Sequence, residues 1–155
     1  MSAFLDTSAL AKLYHQEIGT DFVQTLLAFQ SPGYISRLGL VELQSVLSRK
    51  IRTKTITRTN ADLALLCFRS NVRHGQIIVT SLKAQDFDLA EALIGKYGDS
   101  NALRTLDSLQ LSPALNLTSS RIIDTFITSD KAIAQVASME RLIVLNPETA
   151  QPADL

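Results

Sequence analysis

Short runs of apolar and β-branched residues alternate with longer segments of helical periodicity, and this alternation constrains the fold more than any other feature of the chain. Extended runs fall at 3–5, 34–36, 76–80, 122–128 and 142–145. Helical patterns fill the intervals, at 8–14, 20–29, 38–52, from a cap at Thr57 or Thr59 to 73, 84–97, 102–117 and 131–138. The clearest helix is 38–52, where Leu40, Leu43, Leu47 and Ile51 trace one face. Ser31-Pro32-Gly33 signals a turn, Gly98 a helix end, and Asp99 or Ser100 the opening of the next helix. Ile77-Ile78-Val79 suits a buried strand. Strands joined through helices predict an α/β fold, a parallel sheet with helices on both faces. The interleaving predicts one domain over 1–150, with Asn146-Pro147 ending regular structure and a loose tail at 151–155.

The composition supports a packed core: 46% of the 155 residues are hydrophobic and 19% charged. Lys+Arg and Asp+Glu both number 15, so any nucleic-acid contact must rest on local placement of charge. One cysteine, Cys67, excludes an internal disulfide and a Cys-rich zinc site, and its apolar setting at 63–68 predicts a small buried hydrophobe. No apolar stretch approaches the roughly 20 residues needed to cross a bilayer, and the N-terminus lacks a signal-peptide pattern. A soluble, cytoplasmic protein is expected.

Position selects among the carboxylates. Sites in open α/β sheets form beyond the carboxyl ends of the strands. Asp6 directly follows the first extended run and Asp130 follows the run at 122–128, so parallel neighbouring strands would project both over one edge. Helix capping explains each equally well when taken singly. Asp107 stands one helical turn from Leu103 and Leu111 and two from Ala114, where a bare charge is costly; a partner cation, a metal or a cleft rim would relieve it. Glu42 is flanked by Leu38 and Val46 in the same way, and alone reads as an ordinary exposed helix residue.

Five segments in order resemble the successive motifs of PIN-domain proteins. They are Leu5-Asp-Thr-Ser-Ala-Leu10, Val41-Glu42-Leu43, Leu103-Arg-Thr-Leu-Asp-Ser-Leu-Gln-Leu111, Thr128-Ser-Asp-Lys-Ala132 and Leu142-Ile-Val-Leu-Asn-Pro147. The resemblance covers nearly the whole chain and is nearest to the VapC-type toxins of type II toxin–antitoxin pairs. It implies a three-layer α/β/α fold, with Asp6, Glu42, Asp107 and Asp130 as an acidic site for Mg²⁺ or Mn²⁺ that hydrolyses RNA. In that reading Asp6 and Asp107 are direct ligands, while Glu42 and Asp130 ligate directly, ligate through water, or orient the water. Ser8 is a supporting polar contact, and one or two ions are compatible with the set. A separately encoded antitoxin and a homodimer are further implications. Pro113 departs from the pattern and should kink its helix after the site; Met139-Glu140-Arg141 replaces a Gly common before the last strand.

The chemistry suits the residues. Hydrolysis of a phosphodiester needs an activated water and relief of charge on phosphate, which hard cations held by carboxylates supply. Arg49, Lys50, Arg52, Lys54 and Arg58, with Arg104 and Lys131 beside motif acids, are candidate RNA contacts. A solvated helix end explains the first group as well. His15 and His74 fit no nucleophile–base arrangement. A phosphohydrolase with an Asp6 nucleophile lacks the second Asp, because Ser8 stands there; a receiver domain lacks its acidic pair. No Gly-rich phosphate loop is present. The remaining alternative is a non-catalytic RNA-binding or partner-binding module.

Overall fold

The computed structural model describes residues 2–29 and 32–151. Part of the turn expected at Ser31 and most of the expected loose tail lie outside the described residues. In chain order the elements are β1 (Ala3–Leu5), α1 (Thr7–Lys12), α2 (Thr20–Phe29), β2 (Gly33–Ser36), α3 (Arg37–Arg52) and α4 (Arg58–Arg73). They continue with β3 (Ile77–Thr80), α5 (Ala84–Asn101), α6 (Thr105–Ser119), β4 (Thr125–Ile127), α7 (Lys131–Met139) and β5 (Ile143–Leu145). All strand pairs are parallel, in the order β3-β2-β1-β4-β5. The chain winds outward from β1 through β2 to β3, then returns to β4 on the other side of β1. The reversal leaves a crevice beyond the carboxyl ends of β1 and β4, where open α/β sheets place ligands.

Strand alternation assigns the two faces. Ala3 and Leu5 join Ile35, Ile77 and Ile127 under residues of α1 to α4, including Leu10, Phe22, Leu26, Leu43, Leu47 and Phe68. Phe4 and Phe126 point the other way, into Leu93, Leu111, Ile133 and Val136 of α5 to α7. Phe4 and Phe126 are register partners, and their rings stack at 5.8 Å. The result is a three-layer α/β/α fold. Among the described residues, no helix is long and apolar enough to cross a membrane.

Five expectations are corrected. Gly98 does not end its helix: α5 continues through Asp99 and Ser100 to Asn101, and the break comes at Ala102 in left-handed backbone, φ 53°. The next helix opens at Thr105, with Asp107 accepting the backbone N–H of Arg104, so neither Asp99 nor Ser100 caps it. The 76–80 run is an edge strand, which leaves Ile78 exposed. The 122–128 run contracts to Thr125–Ile127, with Ile122 at the surface. Cys67 is exposed, because α4 turns Ala61, Ala64 and Phe68 inward and leaves Cys67 beside that stripe.

Helix α6 carries the Pro113 departure. It runs through this residue to Ser119, with Pro113 buried. Arg141 adopts the left-handed backbone, φ 67°, at the place where a Gly is common.

Candidate metal and nucleic-acid cleft

The first step in building the site is capping. Asp6 closes β1 with its N–H donating to the Ile127 carbonyl (3.0 Å), and its carboxylate caps α1 by accepting the Ser8 N–H. Asp130 caps α7, accepting the N–H groups of Ala132 (2.8 Å) and Ile133. Asp107 sits in the first turn of α6 and reaches back to the Arg104 N–H (3.2 Å). Three acids therefore stand at helix N-termini, where the unsatisfied N–H groups favour negative charge. Capping and site-building are the same act here, so the capping explanation does not compete with a functional one.

Glu42 arrives from α3, which begins at Ser36 at the end of β2. It accepts the Thr7 hydroxyl (2.5 Å) and one Gln110 amide hydrogen on the same oxygen, Oε2. Gln110 also donates to Thr7 Oγ1 (2.9 Å) and accepts the Ser36 hydroxyl (2.7 Å). The amide, 2% exposed, thus ties α6 to β2, α1 and α3.

Asp6 is 8% exposed. The hydroxyls of Ser8 (2.8 Å) and Thr128 (3.0 Å) both donate to its Oδ2. Burial raises its carboxyl above the ordinary value; these hydroxyls and the N–H groups of Thr7 and Ser8 pull the other way. Ser8 Oγ also accepts the Ser129 N–H (2.9 Å), joining the ends of β1 and β4. A buried carboxylate strained toward its neutral form gains when a cation settles beside it.

Asp107 and Asp130 already share a cation. The Arg104 guanidinium donates to Asp107 through Nε (3.0 Å) and Nη2 (3.4 Å), and to Asp130 through Nη2 (3.3 Å). Both acids, the hydrogen bonds to Asp107 first, raise Arg104 above its ordinary value. This pair answers the cost that the apolar neighbours of Asp107 impose.

All four acids and Ser8 line one cleft of about 520 Å³, together with Lys12, Glu17, Arg49, Lys50, Arg104 and Glu148. Lys50 pairs with Glu17 (3.2 Å). Lys12, buried although charged, donates to Glu148 (2.8 Å) and to the Ile18 carbonyl (2.9 Å), and holds the Glu148 carboxyl below its ordinary value. Of the basic residues singled out from sequence, Arg49, Lys50 and Arg104 line the cleft; Arg52, Lys54, Arg58 and Lys131 do not. His74 ends α4 with Nδ1 at 2.8 Å from the Ser70 carbonyl.

The sequence reading missed Thr7, Lys12, Gln110 and Thr128. Gln110 carried a signal: an amide on an apolar helix face, one turn from Asp107, needs buried partners. Thr7 and Thr128 adjoin motif residues but carried no such conflict.

The donor set fits a hard divalent cation: its oxygens are carboxylate and hydroxyl, and a guanidinium already balances two of the acids. Among the described residues, no three His, Cys, Asp or Glu side chains are gathered as a ready ligand group. Arg104 holds Asp107 and Asp130, while Thr7 and Gln110 hold Glu42.

The PIN domain family model matches residues 3–139, and the chain belongs to that family. Its fold is similar to that in the crystal structure of VapBC2 from Rickettsia felis bound to a DNA fragment from their promoter. There the TM-score is 0.63 and identity 19%, over 94% of this chain and 98% of that one. PAE2754 from Pyrobaculum aerophilum is also similar, with TM-score 0.62 and 15% identity, over 96% of this chain and 91% of that one. Among curated proteins none matches.

Proposed function

We propose that this chain is a Mg²⁺- or Mn²⁺-dependent endoribonuclease and the toxin of a type II toxin–antitoxin pair. The observation that carries the reading is one cleft, at the switch point of the sheet, lined by Asp6, Glu42, Asp107 and Asp130. Asp6 and Asp107 would hold the ion, with Glu42 and Asp130 ligating directly, ligating through water, or orienting the attacking water. A bound divalent ion supplies a more acidic water and a counter-charge for phosphate. The chain's own part is positional: Ser8 and Thr128 orient Asp6, and Thr7 and Gln110 hold one oxygen of Glu42. Arg49 and Lys50 flank the cleft as phosphate contacts.

The toxin reading has its own support. The VapBC2 complex shares this fold, and a mostly apolar groove of about 440 Å³ lies between α3, α4 and β3, lined by Leu40, Leu43, Leu65, Phe68 and Val72. An antitoxin segment suits such a groove, and a homodimer belongs to the same reading. One domain over 1–150 and a cytoplasmic location complete it. The bridge from Asp107 through Arg104 to Asp130 favours the rival, a non-catalytic RNA- or partner-binding module. Incubating purified protein with mixed single-stranded RNAs decides between them. Cleavage that needs Mg²⁺ or Mn²⁺, stops with chelator and leaves a 5′-phosphate is expected; chelator-resistant activity or cyclic-phosphate products would reject the mechanism. Intact RNA with metal present would select the non-catalytic module.

A further inference from the structure

Among the described residues, Arg104 is the one side chain that pairs with the carboxylates of two of the four acids, and it does so from the surface. Its side chain is 70% exposed, whereas those of Asp107 and Asp130 are 14% and 35% exposed. The Arg104 guanidinium makes no cap hydrogen bond to the α6 backbone, so the side chain can leave without opening α6. The acids stay capped by main-chain N–H groups at Arg104, Ala132 and Ile133. A guanidinium and a divalent cation compete for the same carboxylate oxygens, because each is satisfied by the other's absence.

We infer that Arg104 is an internal counter-ion that the metal displaces, and that the released guanidinium then contacts the RNA phosphate. The inference rests on the metal-dependent reading above. Without metal, Arg104 neutralises Asp107 and Asp130 and holds α6 against α7. With metal, those acids turn to the ion, and a guanidinium freed at the rim of an acidic, metal-filled cleft finds its matching bidentate partner in phosphate. Metal and RNA therefore bind cooperatively through one side chain, and the coupling acts in both directions.

Calorimetric titration of Mn²⁺ into the wild type, Arg104→Gln and Arg104→Lys tests the competition. With the competing cation gone, Arg104→Gln should bind Mn²⁺ roughly threefold to tenfold more tightly. Arg104→Lys keeps the charge but loses the fork, and should fall between the two. A lysine variant equal to wild type would reduce the effect to general charge and overturn displacement. The Arg104 Nε–H resonance, identified by its loss in Arg104→Lys, should shift along the Mg²⁺ saturation curve. Wild-type metal binding with unchanged affinity in Arg104→Gln, or weaker binding there, would overturn the inference and leave the metal site standing. Failure of the wild type to bind Mn²⁺ would overturn both. For the second half, RNA affinity with Ca²⁺ replacing Mg²⁺ should exceed that in chelator, and Arg104→Gln should lose most of the gain. An equal gain in the two proteins would remove Arg104 from the phosphate.

Discussion

Gln110→Leu should destabilise the protein by about 2 kcal/mol and weaken its hold on divalent metal, because the amide serves the fold and the cleft together. Leucine approximates the lost volume, so packing against the buried face changes little. Three hydrogen bonds disappear, to Thr7, Glu42 and from Ser36. Their consequences differ. Thr7 and Glu42 keep each other at 2.5 Å. Ser36, fully buried, still accepts the Gly39 N–H at 3.3 Å but has nowhere to donate. An orphaned buried donor costs about 1–3 kcal/mol, and this one dominates the loss. Adding Ser36→Ala removes the orphaned hydroxyl but also the cap that it gives the Gly39 N–H, so the double variant should recover little over Gln110→Leu. Urea unfolding in chelator reads this as a lower midpoint at an unchanged slope. Mn²⁺ affinity should fall in both variants, because neither restores the bond that orients Glu42. A Gln110→Leu midpoint equal to wild type would refute the network; restored metal affinity in the double variant would refute the link to Glu42.

Asp6→Asn should be at least as stable as wild type in chelator at pH 7. Burial raises the folded-state value of Asp6, so ionisation opposes folding: the variant's advantage is absent below the unfolded carboxyl range and grows as pH rises through the folded value. Melts at several pH values check it, and a variant that loses ground as pH rises would contradict the direction. Glu140 shows the opposite sign, because Lys96 (2.7 Å) and the Tyr97 hydroxyl (2.5 Å) hold its carboxyl below the ordinary value. Glu140→Gln should cost about 1 kcal/mol at neutral pH, and the difference should vanish as pH falls through the folded value of Glu140. Arg141→Gly should stabilise by about 0.5 kcal/mol, since relief of the left-handed backbone exceeds the entropy glycine adds to the unfolded chain; a lower melting temperature would show that the Arg141 side chain contributes more than its backbone costs.

The sheet was legible because each strand lies between helices, and period-two alternation at Ala3, Phe4 and Leu5 names its two faces. What escaped was set by neighbours. Nothing in Ile77-Ile78-Val79 says that β3 has a partner on one side only. Gly98 reads as a stop, yet a helix with buried Leu93 and Tyr97 continues past it until the backbone turns at Ala102. Cys67 looked buried because apolar residues flank it in sequence, but α4 turns its stripe one position away. In the cleft, the acids were visible through their place after strands and in motifs. Their holders were not, since Gln110 meets Ser36, Thr7 and Glu42 only when three distant segments converge.

The most direct measurement is the thermal stability of wild type and Asp107→Asn, first in chelator and then across a Mn²⁺ titration. In chelator the variant should melt slightly lower, because Asn accepts the cap but loses the charge that Arg104 engages. Mn²⁺ should stabilise wild type by mass action, approaching about 2.7 kcal/mol at a hundredfold excess over the dissociation constant. Asp107→Asn should lose most of that increment together with RNA cleavage. A wild type whose melting ignores Mn²⁺ would contradict the account, as would a variant that keeps the full metal response.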